Sequence, residues 1–382
     1  MRVSALFAGI AGLELGLERS GHQTLMFCEI DLGAREVLKD HFPGIPIYSD
    51  VRHLKSLPSN TELVTAGFPC QDLSQAGLTR GINGSKTGVV SHLFRLLRNQ
   101  DIPHVLIENV PFMLQLKNGQ AICFLVNALE ELGYNWAYRV VDARAFGVPQ
   151  RRQRVFLLAS KEFKPWRVLL RSDCQPREPT YSRGVACGFY WTEGNTGLGW
   201  TVDAVPTLKG GSSLGIPSPP AVWLPDGSIV TPHIRDAERL QGFKADWTKP
   251  AERAVRSSHR WRLVGNAVCV RVAFWIGRCI KRMPLERPAH LTAYEFDKKG
   301  VWPVAAFGNR SEGRAAVNVS VWPCAPSTTH LAEFLRHEPE DLSLRAVTGF
   351  INRLTASTLR YPEEFLNDLK AHQARMATYS KK

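Results

Sequence analysis

The chain has 382 residues, 44% of them hydrophobic, and a formal net charge of +13. That length suits one large domain plus a smaller one, and no apolar run reads as long enough to span a bilayer, so no membrane partner is expected. The positive excess suits a polyanionic partner such as nucleic acid, although a merely basic soluble surface gives the same sum. Eight cysteines without paired spacing read as reduced thiols of a cytoplasmic protein, and with no Cys-x-x-Cys or His-x-x-x-His cluster no metal site is expected.

The first ten residues mimic a signal peptide, but Glu14 and Glu18 interrupt the apolar run early. A cofactor loop fits better. Val3 to Phe7 reads as a strand, Ala8-Gly9-Ile10-Ala11-Gly12 as a tight turn, and Leu13 onward as a helix. Strand, glycine turn and helix form the nucleotide site of doubly wound sheets, where the helix amino terminus favours a carboxylate or phosphate. The strand from Thr24 to Cys28 ends in Glu29-Ile30-Asp31, where an acid can bond ribose hydroxyls. The next short strand ends in Ser49-Asp50-Val51, where an acid can read an adenine amino group. Acids at successive strand ends, with no Walker lysine, point to an adenosine ligand rather than a triphosphate.

Glu62 to Ala66 reads as a buried strand, followed by the turn Gly67-Phe68-Pro69-Cys70-Gln71. Proline ends the strand and fixes the backbone, so Cys70 stands at a strand's carboxyl end, where open α/β sheets bind ligands. A cysteine there can be a nucleophile, or simply a small buried hydrophobe. The glycine-rich stretch from Gly77 to Gly88 reads as a loop beside it. Pro103 to Ile107 is a further strand with Glu108 at its end, and Ala121 to Leu132 a helix burying Ile122, Leu125, Val126, Leu129 and Leu132. Gln150-Arg151-Arg152-Gln153-Arg154 leads into the strand Val155 to Ala159, with Arg152 and Arg154 on one face. From 161 to 234 periodicity is lost and Pro, Gly, Ser, Trp and Arg dominate. Arg235, Glu238 and Arg239 suit structural ion pairs. Val270 to Ile280, Leu331 to Phe334 and Pro362 to Ala374 read as helical.

Six of these stretches carry a resemblance. Phe7-Ala8-Gly9, Pro69-Cys70-Gln71, Glu108-Asn109-Val110, Gln150-Arg151-Arg152-Gln153-Arg154, Arg239-Leu240-Gln241-Gly242-Phe243 and Gly265-Asn266-Ala267-Val268 stand in the order of the cytosine-C5 DNA methyltransferase family, over roughly residues 1–282. The bacterial and phage type of this family is the one it resembles. The resemblance implies S-adenosylmethionine as methyl donor and a flipped-out cytosine in double-stranded DNA as acceptor. It implies Cys70 as nucleophile, Glu108 on the N3/N4 edge of the base, and Arg154 on O2 with Arg152 beside it. For the cofactor it implies Phe7, Ala8, Gly9, Ala11, Gly12, Glu29, Ile30, Asp50, Val51, Pro69, Leu93, Asn266 and Val268. For DNA it implies Gln71, Ser74, Arg80, Thr207 and Lys209, with 77–88 as a closing loop. Ala11 departs from the glycine that many members carry.

The fold expected is α/β: a doubly wound, mostly parallel, Rossmann-like sheet with a smaller irregular target-recognition domain. Residues 1–160 are expected to hold catalysis and cofactor, 161–234 to read DNA, 235–282 to return to the catalytic domain, and 283–382 to form an extension of unknown role. A monomer is expected, with a cognate restriction or defence system as partner. Two alternatives stand beside this reading: a tRNA-methylating enzyme of the same fold, and a catalytically dead DNA-binding protein on the same scaffold.

Overall fold

Short buried strands alternate with amphipathic helices through the first part of the chain. β1 (Arg2–Leu6) leads into α1 (Gly12–Arg19), β2 (Gln23–Cys28) into α2 (Leu32–His41), and β3 (Ile47–Tyr48) and β4 (Leu63–Ala66) follow. Then come α3 (Val90–Asn99), β5 (His104–Asn109), α4 (Gln120–Glu131), β6 (Asn135–Asp142), β7 (Gln150–Arg151), β8 (Gln153–Ser160) and the one-turn α5 (Trp166–Leu169). The structure, a computed structural model, describes residues 1–69, 88–211, 217–283, 291–296 and 300–379. Cys70, Gln71, Ser74, Arg80 and the expected closing loop up to Thr87 lie outside the described residues.

β3, β2, β1, β4 and β5 lie side by side in that order, all parallel. The chain winds outward on both sides of β1, so a crevice opens between the carboxyl ends of β1 and β4. Beyond β5 the expectation of a mostly parallel sheet is corrected. β8 runs antiparallel to both β5 and β6, and the ten-stranded sheet is mixed. The physical reason is connection length. Residues 143–152 between β6 and β8 are too few for the helical crossover that a parallel pair requires.

The segment expected to be irregular contains strands of two or three residues, too short to display a period of two. β9 (Cys187–Phe189), β10 (Thr201–Val202), β11 (Val205–Pro206), β12 (Ala221–Trp223) and β13 (Ile229–Thr231) precede α6 (Ile234–Leu240), α7 (His259–Asn266) and α8 (Val270–Lys281). The remaining elements are β14 (Ala293–Tyr294), β15 (Ala305–Asn309), β16 (Gly313–Val317), α9 (Leu331–Phe334), β17 (Glu340–Asp341), α10 (Leu344–Thr355) and α11 (Glu363–Tyr379). A second, antiparallel sheet has the order β10-β9-β12-β13-β17.

The boundary expected near residue 283 does not separate two bodies. β15 pairs with β6 and extends the large sheet, while β17 closes the edge of the small one. α10 and α11 bury Val347, Phe350, Leu354, Phe365 and Leu369 against Phe189, Trp223 and Ile229 of the small sheet. Each such side chain, fully withdrawn from water, contributes about 1.5–3 kcal/mol. The tail therefore supplies one whole face of the small sheet's core.

α8 returns the chain to the large sheet. Its amino end meets the amino end of α1: a Cβ on Gly12 would lie 2.3 Å from the Val268 carbonyl oxygen, and one on Gly16 2.5 Å from the Ala273 Cβ. Only glycines allow this approach, which brings Asn266, Ala267 and Val268 against the glycine turn. By length and composition His259–Lys281 is apolar enough to cross a membrane, which corrects the expectation that no such run exists. In the structure it is two helices, α7 and α8, mostly buried in the protein's own core.

Candidate active site

The glycine turn at the end of β1 is held in an uncommon backbone shape. Phe7 (φ 57°) and Ala11 (φ 63°) both sit in the left-handed region, and Ala11 caps α1. A side chain there costs about 1–2 kcal/mol, so the departure from glycine at this position is a strained but formed turn. Glu29 braces it: one carboxylate oxygen accepts from the Gly9 amide at 2.7 Å, the other from the Asp31 amide at 2.8 Å. Burial pushes the Glu29 carboxyl up, against the pull of those two amides.

A cavity of about 460 Å³ lies in the crevice beside this turn, walled by Phe7, Gly9, Glu29, Ile30, Asp50, Val51, Pro69 and Asn266 among others. Ala8, Gly12 and Val268 line a smaller cleft of about 40 Å³ adjoining it, together with Glu14 and Glu108. Leu93 is placed differently. It is buried in the core of α3, and Val89, just before that helix, stands at the cavity wall instead. Sequence reasoning also missed Arg52 and Leu263 in the wall, where Asp31 stands beside Ile30. Arg52 grips Asp50 with contacts of 2.6–3.0 Å, and this hydrogen bonding holds the Asp50 carboxyl down at about 2. Asp31 caps α2 at 3.0 Å from the Ala34 amide and meets His259 at 2.8 Å, tying α7 to the cavity rim. Adjacent hydroxyl acceptors (Glu29), an amine acceptor (Asp50) and an aromatic wall (Phe7) suit an adenosine group.

The reacting end is built where β4 and β5 finish and the antiparallel β8 begins. Glu108 ends β5 facing Gly67, whose ideal Cβ would stand 3.6 Å from Glu108 Oε2. Asn109 Nδ2 donates to the Phe68 carbonyl at 3.0 Å, fixing the turn that leads through Pro69 to Cys70. Arg154 Nε lies 3.0 Å from Glu108 Oε1. Burial raises the Glu108 carboxyl above the ordinary carboxylate range, opposed by Arg154 and Arg152. This acid can keep or share a proton while a cation stands against its other side.

Arg152 and Arg154 share a face in sequence yet have different surroundings. Arg152 is fully buried and donates to three backbone carbonyls: Leu208 at 3.1 Å, Gly265 at 3.0 Å and Ala267 at 2.6 Å. Burial lowers its guanidinium to about 9. It is a clamp joining the large sheet, the segment after β11 and the entry to α8. Arg151 reaches the carbonyls of Gly199 and Trp200 at 3.0 and 3.1 Å. Thr207 Oγ1 returns a bond to the Arg151 carbonyl at 2.8 Å, and β7 pairs with β11. Lys209 pairs with Glu193, its ammonium 3.6 Å from the Tyr190 ring centre. Tyr190 OH donates to the Thr207 carbonyl at 2.7 Å. The expected ion pairs near α6 are present: Arg239 with Asp236, Arg235 with Asp246 at 2.8 Å and Arg260 with Glu238 at 3.0 Å.

Comparison with known proteins agrees with this geometry. The profile of the C-5 cytosine-specific DNA methylase family matches residues 1–184. The Type II methyltransferase M2.BsuMI of Bacillus subtilis (strain 168) is 46% identical over 385 residues, covering 97% of each chain. M.Bsp6I of Bacillus sp. (strain RFL6), also a Type II methyltransferase, is 26% identical over 71% of this chain and 96% of its own. Among solved structures, the Schizosaccharomyces pombe Dnmt2 methyltransferase superposes with a TM-score of 0.54 at 17% identity, over 74% of this chain and 99% of its own. That likeness supports the methyltransferase fold alone. The near-complete match at 46% identity settles the family: the chain belongs to the C-5 cytosine-specific DNA methylases and is a DNA (cytosine-5-)-methyltransferase that uses S-adenosylmethionine as methyl donor.

Proposed function

We propose that this enzyme methylates carbon 5 of a cytosine flipped out of duplex DNA, through a transient covalent bond to Cys70. The observation that carries the reading is Glu108 with its proton favoured by burial, paired to Arg154 and facing the turn that delivers Cys70. Carbon 5 of cytosine is a weak nucleophile. Attack of the Cys70 thiolate on carbon 6 forms an S–C bond and shifts electron density to carbon 5 and N3. Glu108 donates a proton or hydrogen bond at N3, and Arg154 stabilises charge at O2. S-adenosylmethionine supplies a sulfonium methyl group. Once carbon 5 carries the methyl and the donor's sulfur has left as a neutral thioether, loss of the carbon-5 proton to solvent, breakage of the S–C bond and return of the N3 proton to Glu108 restore the aromatic ring and the thiolate.

Glu29, Asp50 and Phe7 would hold the adenosine end of the donor, and Asn266 and Val268 would close its other side. Arg152 would position rather than touch the base, since both its terminal nitrogens already meet carbonyls. The small sheet, with Thr207 and Lys209 near its seam, would choose which cytosine is flipped by reading base edges in the major groove. The relatives' designation as Type II methyltransferases supports a partner restriction enzyme with the same site.

The test is a duplex whose target cytosine carries fluorine at carbon 5. Fluorine cannot leave as a proton does, so wild-type protein should be trapped covalently and Cys70→Ala should bind without trapping. Turnover without an adduct on that substrate would end the mechanism. Bisulfite sequencing of host DNA would give the target, and methylation of tRNA instead of duplex DNA would favour the other branch of the fold.

A further inference from the structure

A cavity of about 710 Å³ lies apart from the cofactor crevice. It runs along the side of α8 turned away from α1. Arg271, Trp275, Arg278 and Arg282 recur there at helical spacing, with Phe274 between them and Arg171 closing the far wall. Phe146 and the tail segment at Cys324 and Pro326 form the opposite side. No acidic side chain lines this groove among the described residues. Among the described residues none of its four arginines has a carboxylate within ion-pair distance. Arg271 donates to the carbonyls of Phe146 and Gly147 at 3.0 Å each, and Arg171 to that of Arg282 at 2.9 Å. Carbonyls fix these guanidiniums without neutralising them. Arg271, Arg278 and Arg282 are exposed, while Trp275 and Phe274 are half-buried.

Four like charges gathered around a cavity repel one another. Such an arrangement is at ease when an anion enters. The walls narrow the class of anion. Trp275 and Phe146 stand 5.6 Å apart between ring centres and offer π surface for a flat heterocycle. Arginine forks match phosphate oxygens. Arg278 and Arg282 lie about 6 Å apart along the helix axis, a spacing that suits neighbouring phosphates of one strand. We propose that this groove is a second binding site for nucleotide units, with phosphates on Arg278 and Arg282 and a base against Trp275. The unit comes either from a single nucleic-acid strand or from a free nucleotide. It differs from the methylation site in place and composition: the crevice carries the carboxylates of Glu29, Asp31 and Asp50, the groove four arginines and, among the described residues, no carboxylate.

The experiment uses the full chain and fluorescein-labelled oligo(dT), which contains no cytosine and so offers nothing to methylate. Anisotropy is followed against salt for wild type and for the double variant Arg278→Glu/Arg282→Glu. Both side chains are exposed and neither belongs to the methylation machinery. The variant should bind oligo(dT) at least about tenfold more weakly, and its salt slope should fall by roughly 1.4, the value for two single-strand phosphate contacts. Methylation of a duplex at saturating S-adenosylmethionine should be unchanged. Competition by unlabelled oligo(dT) and not by ADP identifies a strand as the natural source, and competition by ADP identifies a free nucleotide. Equal affinity in variant and wild type would overturn the proposal. So would displacement by inorganic tripolyphosphate as effective as by either nucleotide ligand, since a base against Trp275 would then add nothing.

Discussion

The floor of the crevice and the seam between the two sheets put buried polar side chains to opposite ends. On the floor, Glu29, Glu108 and Glu14 are buried acids whose charges are left partly uncompensated and face a cavity. At the seam, Arg151, Arg152, Thr207 and Tyr190 donate to backbone carbonyls. The floor stores electrostatic work for a ligand to use. The seam fixes the angle at which the small sheet faces that ligand. Arg152 and Arg154, two residues apart, fall on either side of this division, so spacing alone does not assign a role to a buried arginine.

The largest effect should come from breaking the seam. Arg152→Met leaves the carbonyls of Leu208, Gly265 and Ala267 buried without that donor. At about 1–3 kcal/mol for each of the three unsatisfied groups, the loss should be on the order of 3–9 kcal/mol in unfolding free energy. Arg154→Met should cost far less. Glu108 can take up a proton when its partner goes, because burial already favours its acid form. Denaturant unfolding of both variants checks the contrast, and equal losses would erase the distinction between clamp and site.

Glu14 measures what the floor stores. It is a fully buried residue in the first turn of α1; one oxygen accepts from Thr65 Oγ1 at 2.6 Å, and the other has no partner among the described residues. Burial raises it from 4.5 to about 7. Between those values the native state keeps a proton that the unfolded chain has released, so this contribution to stability is whole below pH 4.5 and declines as pH rises to about 7. The decline should reach about 3 kcal/mol. Glu14→Gln removes the titration and keeps an acceptor for Thr65. Unfolding measured at pH 5 and pH 8 without cofactor should show wild type losing more stability than the variant. Parallel pH dependence would mean the charge is solvated.

Glu108→Gln tests the floor's chemistry. It should keep cofactor affinity and lose turnover by roughly a hundredfold, about 2.7 kcal/mol, since the amide cannot supply the proton at N3. A near-normal rate would remove Glu108 from the reaction while leaving its structural place intact.

How legible these two regions were in the sequence differs for a physical reason. The floor is local: a strand, a turn and the first residues after it lie together in the chain, so the glycine turn and the strand ends that carry Glu29, Asp50 and Glu108 could be read directly. The helix α4 was expected within a residue of its ends, with Ile122, Leu125, Val126 and Leu129 buried as the period requires. Leu93 was misread because the helical face it shares with Val90 and Leu97 turns to the core. The seam and the small sheet are nonlocal. β9, β12 and β13 are three residues each, and β17 comes from far along the chain, so no period announces them. The carbonyls that occupy Arg152 lie 56 to 115 residues away in sequence. Carbonyl acceptors belong to every residue type and leave no sequence signal.

The smallest effect concerns the exposed rim of the seam. Lys209 is about half exposed and held by Glu193 and the Tyr190 ring, so DNA can engage its ammonium only by displacing the carboxylate. An exposed pair of this kind adds about 0.2–1 kcal/mol, and Lys209→Ala should lower stability by no more than that. Its effect on DNA should be larger than its effect on folding. If the ammonium meets a phosphate, binding weakens for all sequences alike and the salt slope drops by about 0.9. Glu193→Gln should then act in the opposite direction. It frees the lysine from its competitor and removes a negative charge near the backbone, so binding tightens at every sequence while the target stays the same. Salt-dependent binding of both variants to one target duplex and one unrelated duplex separates the outcomes. Tightening confined to the target duplex would make Glu193 and Lys209 readers of base edges, and the rim would then belong to recognition rather than to the clamp beneath it.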